Sequence, residues 1–414
     1  MTHADEQPTE VETQASPPPG SEDSPPEAGR WHETLRSITT GNAMVAFLSV
    51  LLAVLVGSIM ILATDEEVRS AAGYITARPG DFFSAAREAI TGAYGALFRG
   101  SIYNTRAEDF QTGIRPLTET LKFAAPLITA GLGVGLAFRA GLFNIGGRGQ
   151  MLLAGGAAGW VGTQVDLPFP LHLVVAVAAG MLAGALWAGL AGLLKARTGA
   201  HEVIVTIMLN YVGFYLVFYA LSTQGILQAP GSINPKSLPM DDSAVLPKLA
   251  GDRYNLHLGF LLALVAVVVV WWLLSRSSLG YRFRAVGVNP HAARTAGIDV
   301  GRTYVIVMLI AGSLVGLAGA NQVLGTVTSG VTVDLDAGIG FDAITVALLG
   351  RSRPFGILAA GLLFGAFKAG GFSMQASEGI PVDIVLVIQS LIVLFIAAPP
   401  LVRAVFRLPA KEAK

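Results

Sequence analysis

Apolar residues run along this chain in long blocks separated by short polar or glycine-rich breaks. Blocks near 41–63, 120–138, 150–164, 169–194, 203–222, 257–275, 303–323, 341–350, 355–371 and 382–400 predict helices. Crossing a bilayer takes about 20 apolar residues in helical form, because only helices and closed barrels satisfy their own backbone in lipid. Most of the blocks meet that length. The 150–164 block is rich in Gly and Ala and the 341–350 block has ten residues, so each suits a broken or re-entrant helix as well as a plain span. The expectation is an all-α polytopic membrane protein of about ten transmembrane helices, one or two of them short or broken. One further stretch, Asp81 to Phe98, has apolar positions at helical spacing; it fits either an amphipathic helix on the membrane surface or a helix packed over the outer mouth.

Composition supports this class. Of 414 residues, 53% are hydrophobic and 14% charged, with a mean hydropathy of +0.60; roughly 25% charged is usual in a soluble domain. The zero net charge conceals a division. Residues 1–40 carry eight acids and two bases among many Pro, Ser and Thr, which predicts a disordered acidic tail, and the rest of the chain is net basic by six. No short apolar stretch with a basic start precedes the 41–63 block, so that block is expected to be an uncleaved first span. The expected organisation is therefore the tail 1–40, a transmembrane region 41–404 and a short cytoplasmic tail 405–414. Within the transmembrane region, 64–116 forms an outer segment and 276–302 a cytoplasmic loop.

Charge placement sets the expected orientation. With ten crossings and both termini cytoplasmic, the inner loops hold fifteen basic residues against Glu202, Asp299 and Glu412. The outer loops after residue 222 hold Lys236, Lys248 and Arg253 against eight acids. This is the positive-inside asymmetry, and moving the count by one span inverts it.

Candidate chemistry is sparse. The sequence contains no Gly-x-x-x-x-Gly-Lys-Ser/Thr loop for ATP phosphates, no Gly-x-Ser-x-Gly elbow and no His-Glu-x-x-His pair, and its six histidines lack metal-site spacing. It has no cysteine, which excludes thiol catalysis and disulfides. No basic patch with interleaved aromatics points to nucleic acid. Few ionisable residues fall within the spans, whereas an ion-driven carrier needs a titratable group there. Energy for active transport would then enter from another subunit. A stand-alone facilitator is the alternative, and an intramembrane enzyme or scaffold lacks the necessary groups.

The 276–302 loop has the most structured pattern. Asn289 can cap a helix that opens at Pro290, Gly297 can end it, and the small Ala292, Ala293 and Ala296 let it lie shallowly in a groove. By these residues alone it is either a docking helix or a plain basic connection. The loop resembles the coupling helix of ABC importer permeases of the branched-chain amino acid, simple sugar and nucleoside type. Three further strings share the resemblance: Ala137 to Gly146 with Gly149-Gln150-Met151, Ala200 to Tyr211, and Gly340 to Gly350. The Phe143-Asn144-Ile145-Gly146 and Glu202 to Tyr211 strings are closest to the nucleoside-uptake branch. One departure is Arg148, a base where the family commonly has an acid.

The resemblance implies a permease subunit in the cell inner membrane with no ATPase site or cofactor of its own. ATP would be bound by partner ATPase subunits docking on Arg284, Gly287, Asn289, Ala292, Ala293, Arg294 and Gly297. It also implies a second homologous permease and an extracytoplasmic solute-binding lipoprotein, with nucleosides the first expected solute, simple sugars next and branched-chain amino acids third. For the translocation pathway, polar side chains near helix breaks and inside spans are the candidates: Asn144, Gln150, Glu202, Thr206, Asn210, Asn321, Gln322 and Gln389. Neutral amides can bind a ribose or base edge without burying a charge, although for each group taken singly an interhelical bond or a cap is the more common role. Two glycine-containing breaks, at Gly147-Arg148 and Gly350-Arg351, look like a weak internal echo.

Overall fold

The computed structural model describes residues 42–407; the expected acidic tail and the last residues of the chain lie outside the described part. Among the described residues there are fifteen α-helices and no named strand. In chain order they are α1 (Asn42–Thr64), α2 (Glu66–Ala72), α3 (Pro79–Ser101), α4 (Phe110–Arg139), α5 (Gly147–Gln164), α6 (Leu171–Thr198), α7 (Glu202–Leu221) and α8 (Gly259–Arg276). They continue with α9 (Ser278–Val288), α10 (Pro290–Thr295), α11 (Val300–Asn321), α12 (Ile339–Leu349), α13 (Pro354–Glu378), α14 (Val382–Ala397) and α15 (Pro399–Val405). A π-helical turn, Gln322–Thr326, extends α11.

Each of the ten apolar blocks is a helix here. Among the described residues, seven helices are long and apolar enough to cross a membrane, or eight if the sharply bent α14 and α15 form one span. That is fewer than the expected ten: α5 is too rich in glycine and α12 too short. These are the two blocks whose sequence also admits a broken helix.

The central helix is α4, buried through most of its length and packed by α11, α13, α12 and α8. It starts ten residues before the block that predicts it, because α3 covers its first turns: the Thr120 hydroxyl donates to the Ser101 carbonyl at 2.6 Å. The most extensive helix pairing joins α6 and α11. A Cβ on either Gly184 or Gly312 would overlap the carbonyl oxygen of the other, so these backbones touch. In lipid, where apolar burial drives no association, such close approach supplies the attraction. A second core, including Ala53, Ala93, Ile384 and Ile388, joins α1, α3 and α14. Helix α3 lies against α13 and buries Ala86, Ala93 and Ala96, which favours the packing helix over the membrane-surface helix.

The loop 327–338 runs inward from the end of α11. Asp336 lies 3.4 Å from Arg148, and a Cβ on Gly147 would come 2.6 Å from the Gly340 carbonyl oxygen. Counting positions along the sequence assigns Arg148 and Asp336 to opposite membrane faces, and their contact corrects that assignment. Two helices, α5 and α12, begin inside the molecule and meet there. The glycine that Gly147 meets is Gly340; Gly350, its partner in the sequence echo, packs on Gly356 instead.

Candidate functional site

The candidate residues fall into three groups in the structure. The first is the α9–α10 hairpin at the end where α4 finishes. The Ser277 hydroxyl accepts from the Gly280 N–H at 3.0 Å and starts α9. The Asn289 side chain accepts from the N–H groups of His291 and Ala292 at 2.9 and 3.1 Å, with Pro290 opening α10. Gly297, at φ +82°, ends it in the left-handed region. Ala293, Val286 and Val300 form a small core that fixes the hairpin to α11. A Cβ on Gly287 would overlap the Arg139 carbonyl oxygen, so the hairpin sits directly on the end of α4.

Of the seven residues expected to dock a partner, Arg284, Asn289, Ala292, Arg294 and Gly297 are exposed. Gly287 is half-buried and Ala293 buried. Residues 292 and 293, alike in sequence, therefore have different roles in the fold. Val288, 88% exposed, and Tyr281, 62% exposed, also face outward here. Sequence reasoning missed both, since an apolar residue in a connecting loop carries no periodic signal of its own.

The second group joins the 140–149 segment to α7. Asn144 and Gln150 exchange amide bonds at 2.9 and 3.2 Å. Asn210 accepts from the Gly149 N–H at 2.9 Å and donates to the Ile145 carbonyl at 2.9 Å. The Thr206 hydroxyl accepts from the Ile145 N–H and donates to the Glu202 carbonyl. Glu202 accepts from Lys195 at 2.6 Å and from the Phe143 N–H at 3.4 Å. Five of the expected pathway residues thus form one network in which each has partners within the chain. Such a network holds the break before α5 in one shape.

The third group is open. Asn321, Gln322 and Gln389 are each at most 4% exposed, and they include buried polar atoms without a partner: both amide atoms of Asn321 and the Oε1 atoms of Gln322 and Gln389. Asn321 faces Gly259, where a Cβ would overlap it. Gln322 and Gln389 line a cavity of ≈ 270 Å³ between α4, the π turn, α12, α13 and α14, together with Phe123, Phe367 and Phe372. Gln322 is the first residue of the π turn that extends α11, an irregularity frequent at functional sites. Asp342 and Lys368, also in this wall, pair at 3.0 Å. Among the described residues no cluster of His, Cys, Asp or Glu could hold a metal ion.

A capped helix exposed at one end of a bundle of membrane-spanning helices, two helices that begin inside it and meet there, and a largely apolar cavity with two buried amides in its wall fit a transport subunit. Comparison with known proteins agrees. Residues 117–397 match the family described as branched-chain amino acid transport system / permease component. The guanosine ABC transporter permease protein NupP of Bacillus subtilis (strain 168) is 37% identical over 366 residues, 87% of this chain and 97% of that protein. The glucose ABC transporter permease protein TsgB13 of Haloferax volcanii is 36% identical over 313 residues, 73% of this chain and 79% of its own. The nucleoside ABC transporter permease protein NupB of Lactococcus lactis subsp. cremoris is 34% identical over 303 residues, covering 68% and 79%. With residues 117–397 matched and its membrane-spanning helices in agreement, this chain belongs to the branched-chain amino acid transport system / permease component family.

Proposed function

We propose that this protein is the permease subunit of an ABC importer that carries nucleosides across the plasma membrane. The observation that carries the solute class is the likeness to the guanosine permease, which extends over 97% of that relative. A glucose permease is nearly as similar over a shorter stretch, so simple sugars are the second reading. Branched-chain amino acids rank third, because a zwitterion needs unpaired charges and the two in the cavity wall neutralise each other.

In this reading the α9–α10 end faces the cytoplasm, both termini lie on that side, and ten segments cross or enter the bilayer. ATPase subunits dock on Arg284, Asn289, Ala292, Arg294 and Gly297, with Gly287 and Ala293 seating the hairpin. ATP-driven closure of the ATPases moves the hairpin, and Gly287 against Arg139 passes that movement to the central helix α4. Solute arrives from an extracytoplasmic receptor lipoprotein and crosses between this subunit and a second, homologous permease. Gln389, with Gln322 beside it, lines the pathway; Asn321, expected there too, packs on Gly259 behind it, and Asn144, Gln150, Glu202, Thr206 and Asn210 brace the break beside it.

The test is ATP-dependent uptake of labelled guanosine by proteoliposomes holding this chain with its ATPases, partner permease and receptor. Ala292→Trp is expected to leave the protein inserted while abolishing uptake and co-purification of the ATPases. Undiminished uptake in that variant overturns the docking assignment. Guanosine uptake by this chain alone, without ATPases, identifies a facilitator instead.

A further inference from the structure

Two cavities share a pair of aromatic rings. The larger, of ≈ 540 Å³, lies at the end of the molecule opposite the docking hairpin, between α3, the start of α4 and α13, with Arg99, Arg106, Arg115 and Glu119 in its wall. The smaller is the Gln322–Gln389 cavity. Phe123 and Phe372 are the two residues common to both walls, and their ring centroids are 5.8 Å apart at 36°. The two rings thus stand between an outer vestibule and an inner chamber, with Phe372 54% exposed.

The inner wall specifies a chemistry. The Oε1 atoms of Gln322 and Gln389 are buried without donors, an unfavourable state that a ligand relieves by supplying N–H or O–H groups. Lys368 and Asp342 pair with each other, and Lys368 also donates to the Ala337 carbonyl at 3.0 Å, so the wall carries no uncompensated charge. Phe123, Phe367 and Phe372 add ring surface. The matching ligand is uncharged, contains a flat ring and bears hydrogen-bond donors.

We propose that the inner chamber is a solute subsite for a nucleoside, whose donors bond to Gln322 and Gln389, and that the Phe123–Phe372 pair is the partition it crosses from the vestibule. This rests on the importer reading above. The aromatic rings of the wall suit a base, because every base has a π face. A phosphorylated nucleotide is refused, since the chamber offers its phosphate no free cation.

The absence of cysteine from the chain allows a direct test in the complete transporter reconstituted in proteoliposomes. Gln389→Cys is expected to react with methanethiosulfonate ethylammonium, and guanosine at about ten times its KM to slow that reaction roughly tenfold. Ile233→Cys, at an exposed loop position, is expected to react equally with and without guanosine. Gln322→Leu should raise KM for guanosine roughly three- to tenfold, the loss of one neutral hydrogen bond, with Gln322→Asn recovering part of it. If Gln389→Cys fails to assemble, Val385→Cys in the same wall replaces it. Reaction without protection, or an unchanged KM in Gln322→Leu, overturns the subsite. Wild-type uptake, measured alongside, separates the two readings. Guanosine import without protection defeats the subsite alone, and no guanosine import defeats the importer reading together with it.

Discussion

At the scale of single residues, charge placement inside the bundle governs stability. Asp336 is almost fully buried and its partner Arg148 also lies 5.3 Å from the centre of the Phe214 ring. Asp336 is buried but the Arg148 side chain is 36% exposed, so solvent screens part of the attraction and the pair is worth less than a fully buried one. Arg148→Met is therefore expected to lower the melting temperature of the purified protein modestly, and the double variant Arg148→Met, Asp336→Leu to recover most of the loss. A double variant no more stable than the single one counts against the pair. His257 carries a second dependence. Burial holds its imidazole down to about 4, with the Lys122 ammonium adding to the effect. The folded state therefore keeps this ring neutral where the unfolded chain, with its ordinary value near 6.5, already takes up a proton. Its contribution to stability is complete above that ordinary value and is lost as pH falls from there towards 4. Thermal unfolding followed between pH 7.5 and pH 4.5 is expected to show this loss, and His257→Gln to show less of it.

At the scale of elements, the hairpin and the glycine-mediated crossing make separable predictions. Asn289 supplies the only side-chain cap of α10, and removing such a cap costs about 1 kcal/mol. Asn289→Ala should therefore reduce ATPase co-purification without preventing insertion. Ala292→Trp and Ala293→Trp should differ in kind: the first blocks docking on a folded hairpin, and the second breaks the Val286–Ala293–Val300 core and lowers protein yield. Equal yields of the two variants count against this division. Gly312→Leu places a side chain where α6 and α11 touch, and should leave little folded protein after detergent extraction. The identity of these elements was readable from the sequence. The cap, the proline after it and the terminating glycine are local signals, and the structure bears out all three. The fate of Ala292 against Ala293 was not readable, because it depends on whether Val286 and Val300 come together around position 293.

At the scale of the whole molecule, the question is which end faces which compartment. The basic residues Arg276, Arg282, Arg284, Arg294 and Arg302 crowd the α9–α10 end, and the positive-inside tendency assigns that end to the cytoplasm. In the cysteine-free chain, Val288→Cys should react with an impermeant maleimide only from the cytoplasmic side, and Ile233→Cys only from the outside. Both positions are nearly fully exposed, so failure to react from the expected side reflects topology. Labelling of both from one side overturns the ten-segment path. The candidate site was half legible at this scale. Polar residues near breaks were visible as a set, but the structure divides them into a satisfied network around Asn144 and Asn210 and a cavity with open acceptors around Gln322 and Gln389.

The sequence by itself determined the class of the protein, the positions of its apolar helices, the capped helix after Asn289 and the family resemblance, because each of these follows from residue type and spacing along one segment. Only the tertiary structure decided that Arg148 meets Asp336, that α5 and α12 begin inside the bundle, and that Phe123 and Phe372 stand between two cavities. Those facts depend on which helices approach each other. That approach is set by glycine contacts between helices far apart in the chain, such as Gly147 with Gly340 and Gly184 with Gly312, and no local pattern records which glycine will meet which.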